Sequence, residues 1–148
     1  MAQGDDLPLG GRFDGVEHRF PVRVYFEDTD LSGVVYHANY LRYMERARSA
    51  MLRLAGIDQR AAFEAGEGAY AVADLRIRYH APARLDDDLL VMTRLQQVRA
   101  AGVIIHQRVS RGGEILAVAE VTAALVAPNG RPRRQPAAWV ETFRRLLD

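Results

Sequence analysis

The chain contains no cysteine and only three serines, Ser32, Ser49 and Ser110. The first absence excludes disulfides, thiolate metal sites and a cysteine nucleophile. The second leaves no serine inside a Gly-x-Ser-x-Gly elbow, which argues against a serine triad. Charge of one sign is lacking too: 20 basic residues face 19 acidic ones, so the broad positive field of a general nucleic-acid binder is missing. No long apolar run is present that would insert in a membrane. The opening segment MAQGDDLPLGGRFDG has neither a basic n-region nor an apolar h-region, so residues 1–19 are expected to form a flexible tail and the protein to be cytoplasmic.

What is there fits one folded domain over residues 20–148, with 49% hydrophobic and 26% charged residues. Phe20 to Phe26 is β-branched and aromatic, as an opening strand is. From Asn39 the period becomes helical, with Tyr40, Met44, Ala47, Met51 and Leu54 on one face and Arg42, Glu45, Arg46, Ser49 and Arg53 on the other. Asn39 is the expected N-cap and Gly56 the stop. A short helix is expected from Asp58 to near Gly66. Alternation after Gly68 gives a strand that Pro82 ends, and three further strands are expected about Asp88 to Val98, Val103 to Arg111 and Glu114 to Val126. Ala137 to Leu147 closes with a helical period. The order of strand, long helix and four strands predicts an α+β layer fold with a mostly antiparallel sheet over the helix.

Between the first strand and the long helix lies a polar elbow with Asp28, Asp30 and His37. An ionisable group beside a helix N-terminus can act on a carbonyl that the helix polarises. His80 and His106 lack ligand spacing and read as strand residues, and the run Asp86-Asp87-Asp88 reads as a solvated turn; no metal site is expected. Glu45 is the rival carboxylate, and its neighbours Arg42, Arg48 and Ser49 favour an ion-paired helix face.

The words FEDTDLSGVVYHANYLRYMERAR (26–48) and LRIRYHAPARLDDDLLV (75–91) resemble the hotdog-fold acyl-CoA thioesterases, and within them the Tol-Pal-associated branch of the 4-hydroxybenzoyl-CoA thioesterase family. The resemblance implies a single hotdog fold, a long central helix wrapped by a five-stranded sheet. It also implies a homodimer, doubled into a dimer of dimers as a homotetramer, with sites at the subunit boundary. Asp30 falls on the catalytic carboxylate and Asp28 on its support. A free aspartate titrates near ~3.9, so it is ionised at neutral pH and can attack a thioester or deprotonate water. The resemblance places the oxyanion-binding amide at His37, whose ring, with an ordinary pKa near ~6.5, can also assist. Such a donor contributes about 2.7 to 4 kcal/mol of barrier. Tyr36 would support the site and Gly33 the turn that feeds it.

Arg99 matches one coenzyme A contact of the 4-hydroxybenzoyl enzymes, whereas Ala100 and Ala101 stand where further basic residues occur. Arg131, Arg133 and Arg134 can substitute, or dock an acyl carrier protein. No cofactor is implied, since coenzyme A is part of the substrate. The expected activity is acyl-CoA thioester hydrolysis in lipid metabolism. The alternatives are a hotdog hydratase or dehydratase and a non-catalytic acyl-CoA or carrier-protein binding module.

Overall fold

A computed structural model of the protein describes residues 3–147. Six strands form one antiparallel sheet: β1 (Arg12–Asp14), β2 (Glu17–Arg23), β3 (Ala69–Tyr79), β4 (Asp88–Val98), β5 (Gly102–Arg111) and β6 (Glu114–Val126), in the spatial order β1-β2-β4-β5-β6-β3. The long helix α1 (Asn39–Leu54) packs mainly on β4 and β2. A short α2 (Gln59–Glu64) and the closing α3 (Ala137–Arg145) complete the chain. This is the expected α+β hotdog arrangement, with one short strand more than the five anticipated.

Helix α1 forms because its apolar positions recur on one face. Tyr40, Tyr43, Met44, Ala47 and Met51 are all buried in the core, while Arg42, Glu45, Arg46, Ser49 and Arg53 stay exposed. It stops at Gly56, whose φ of +88° places it in the region only glycine enters freely. Its start differs from expectation by one position. Ala38 is the cap and makes no side-chain bond, and Asn39 is the first helical residue, its side-chain Nδ2 donating to Asp28 Oδ1.

The boundary drawn at residue 19 falls inside the sheet, and this is a correction. Phe13 pairs with His18 across the β1–β2 hairpin, and β2 runs on to pair with β4 from His18 to Arg23. The misleading residue is Glu17, a carboxylate that is buried on a strand. Burial pushes its carboxyl up, but Arg94, Arg19 and Arg108 reverse this and leave the pKa lowered. Arg19 lies on the same strand, but Arg94 and Arg108 arrive from β4 and β5, so the tail-like charge of this segment conceals a paired site. The opening strand accordingly ends at Arg23, and Phe26–Asp28 forms a 3-10 turn.

The two edges of the sheet are unequal. At one, β1 is three residues long. At the other, β3 runs for 11 residues with only β6 beside it, a bulge between Val72 and Asp74, and exposed positions along most of its length. A long unprotected edge is a template for pairing with another strand.

Candidate active site

The elbow that feeds α1 is built around Asp28. This side chain is 5% exposed and its two oxygens are both engaged: Oδ2 accepts from the Tyr25 amide at 2.8 Å and Oδ1 from Asn39 Nδ2 at 2.6 Å. Its backbone carbonyl accepts the Tyr36 amide at 2.9 Å. One residue thus ties the end of the opening strand to the head of the helix. Asp28, expected as the supporting carboxylate, is buried and bonds the Tyr25 backbone and the Asn39 side chain.

Asp30 is differently placed. Its amide donates to Val34 O at 2.9 Å, its carbonyl accepts Gly33 N at 3.1 Å, and the Thr29–Val35 bridge closes a tight loop that the Val34–Arg84 bridge ties to the connection after β3. Gly33 sits in that loop at φ +81°, where a side chain would be strained although space is open. The Asp30 carboxylate is exposed. Oδ1 accepts from Ser32 Oγ at 2.5 Å and from Ser32 N at 2.8 Å, and these two bonds hold its pKa below the ordinary carboxylate value.

The helix head supplies donors. Among the hydrogen bonds of the described residues, none is donated by the backbone amides of His37 or Ala38, as expected for the first turn of a helix. The peptide carbonyls joined to those amides are occupied: Tyr36 O accepts Asn39 N at 2.8 Å, and His37 O accepts the Tyr79 hydroxyl at 2.8 Å. The Tyr36 ring lies 4.6 Å from the His37 ring, centroid to centroid, and the Tyr79 ring lies 6.3 Å away. Beside this head opens a shallow hollow of about 310 Å³ lined by Val35, His37, Tyr40, Tyr79, His80 and Pro82, with Ala81. Burial raises the Tyr40 and Tyr79 phenol pKa values, so both rings stay protonated at neutral pH.

In the single chain the structure therefore gathers His37, Tyr36 and the amides at one place, with Asp28 anchoring them from behind. Asp30 lies on the adjoining loop but does not line the hollow. Arg99 is not brought near. It occupies the turn between β4 and β5, where its carbonyl accepts Gln135 Nε2, and it borders a groove with Arg134 and Arg144 at the foot of α3. Arg48 does not form the ion-paired outer face expected around Glu45; its guanidinium turns inward to Gln107 Oε1 at 2.9 Å. Tyr79 was missed. Its signal in the sequence was only its place as the last aromatic residue of a strand before Pro82.

The model of the thioesterase-like superfamily matches residues 24–147. The chain is 42% identical over 128 residues to an acyl-CoA thioester hydrolase, YbgC, of Escherichia coli, an alignment spanning 85% of this chain and 95% of the relative. It is 45% identical over 107 residues to the acyl-CoA thioesterase YbgC of Haemophilus influenzae, covering 72% of this chain and 79% of that one. Among solved structures, a probable thioesterase from Bartonella henselae superposes with a TM-score of 0.77 at 37% identity, covering 81% of this chain and 99% of its own.

Proposed function

The chain belongs to the thioesterase-like superfamily, and from that premise we propose that it hydrolyses acyl-CoA thioesters to a free acid and coenzyme A. The observation that carries this reading is the pair of unengaged amides at the head of α1, beside a loop that presents an ionised carboxylate. Asp30 is the reacting group. By one route its oxygen attacks the thioester carbon, the C–S bond breaks to release the thiolate, and water then cleaves the mixed anhydride. By the other it takes a proton from the water that attacks. Both routes place negative charge on the former carbonyl oxygen, where the His37 amide stabilises it. Neither route calls for a cofactor or a metal.

The active unit in this proposal is a homodimer formed through β3. Antiparallel pairing about a two-fold axis sets the Tyr79 end of one strand beside the Tyr70 end of its copy. The open edge of β3 supports this, as does the solvent-facing Asp30 carboxylate, which a partner would enclose. Across the same boundary Arg99 of the copy approaches the first protomer's helix head, within reach of the coenzyme A phosphates. A dimer of dimers extends the same assembly. The finer placement, in the Tol-Pal-associated branch, rests on the Tyr36-His37 pair. No helix among the described residues is long and apolar enough to cross a membrane. We place the protein in the cytoplasm, with acyl carrier protein as a second thioester donor docking on the arginines near α3.

The test is a panel of acyl-CoA esters with thiol detection, run beside a crotonyl-CoA hydration assay. Thiol release supports the proposal. Hydration without thiol release would replace it with a hydratase, and tight acyl-CoA binding without either reaction would replace it with a binding module.

A further inference from the structure

The first turn of α1 leaves the His37 carbonyl without a helical partner, because the Leu41 amide turns instead to Ala38 O at 3.2 Å. The Tyr79 hydroxyl, 42 residues away in sequence, donates to that carbonyl at 2.8 Å. A carbonyl and the N–H of its own peptide unit are fixed in one plane and point in opposite directions. The group whose direction Tyr79 sets is thus the Ala38 N–H, aimed away from the phenol and off the head of the helix. A hydrogen bond accepted at the carbonyl also polarises the unit and strengthens its N–H as a donor.

We propose that Tyr79 is a positioning residue and that the Ala38 amide which it orients is a second oxyanion donor, acting with the His37 amide on the thioester carbonyl oxygen. The inference rests on the hydrolase reading above and deepens it. Two parallel locks then define the oxyanion site: Asn39 N on Tyr36 O fixes the His37 amide, and Tyr79 Oη on His37 O fixes the Ala38 amide. The phenol suits this task. Its ring is braced edge-on against Tyr40 at 5.4 Å, and its raised pKa keeps the hydroxyl a donor across the neutral range. A residue that only packed would need the ring alone, and that distinction makes the idea testable.

The conservative variant Tyr79→Phe keeps the ring and removes the donor. In protein carrying ¹³C-carbonyl histidine and ¹⁵N-alanine, only the His37-Ala38 and His80-Ala81 junctions give a carbonyl–amide correlation. The variant is expected to move the first resonance and leave the second in place. Its kcat should fall by roughly tenfold to a hundredfold, a share of what a whole oxyanion donor supplies, while KM and the melting temperature stay close to wild type. An unmoved Ala38 resonance overturns the proposal, as does a shifted resonance with wild-type kcat. A lower KM-normalised rate caused purely by weaker binding overturns it as well.

If the wild type releases no thiol, the hydrolase reading fails by that assay alone. The amide is then judged with the unreactive ketone analogue, in which a methylene replaces the thioester sulfur. A downfield Ala38 shift on binding, lost in Tyr79→Phe, supports the second donor, and no shift in the wild type overturns it.

Discussion

Asp28 and Asp30 stand two residues apart and live in opposite surroundings. Asp28 is buried, with both oxygens bonded to the strand end and the helix head. Asp30 is exposed and touches only its own loop, through Ser32. A buried carboxylate whose lone pairs are committed stabilises the fold, and one held ionised at the surface of a loop is free to react. The sequence Asp-x-Asp thus places a buried, bonded carboxylate two residues before an exposed one, and the proposed division of labour gives geometry to the first and chemistry to the second.

Substitutions that exchange these roles are the means to break the comparison. The largest effect is expected from Asp30→Asn, which keeps the shape and removes the charge. Thiol release should fall by about hundredfold to ten-thousandfold, the range general-base catalysis supplies, with an unchanged melting temperature. Asp28→Ala should do the reverse. Losing two bonds to a charged acceptor and stranding the buried Asn39 amide is expected to cost about 2 to 4 kcal/mol of stability, read as a lower urea midpoint. Some activity is lost with it because the helix head loosens, yet the pH profile should keep its shape.

Ser32→Ala gives the smallest effect and sharpens the contrast. The Ser32 bonds depress the Asp30 pKa, so the reactive ionised form is present above that value and disappears as pH falls through it. Removing the hydroxyl returns the pKa toward the ordinary range. The acid limb of the pH–rate profile should therefore move to higher pH, with the rate at neutral pH little altered. An unmoved limb would assign the titration to another group.

Much of this fold was legible because its elements follow single periodicities. The helical spacing of Tyr40, Met44, Ala47 and Met51 gives α1 its buried face, and the glycines at 112 and 113 mark the hairpin that joins β5 to β6. β1 and the start of β2 were illegible because Glu17 is neutralised by arginines 77 and 91 residues away, a pairing no local pattern reveals. The same holds at the site. The loop and the helix head follow from the Asp-x-Asp spacing and the change of period at Asn39. The bond from Tyr79 to His37 joins separate elements and depends on the register of β3 against β6. Arg99 shows the opposite case, a residue matched by word that the single chain sets apart from the helix head.

The proposed working of Asp30 at a site shared between two copies is tested most directly by subunit mixing. Asp30→Asn and Arg99→Glu chains are each purified, unfolded together and refolded, and thiol release is measured at low acyl-CoA concentration. In a shared site every mixed dimer holds one boundary with both native residues, so activity should return to about a quarter of wild type per chain, the share statistical mixing allows. Activity no higher than the mean of the two parent variants would mean that each chain builds its site alone, and the account would be wrong.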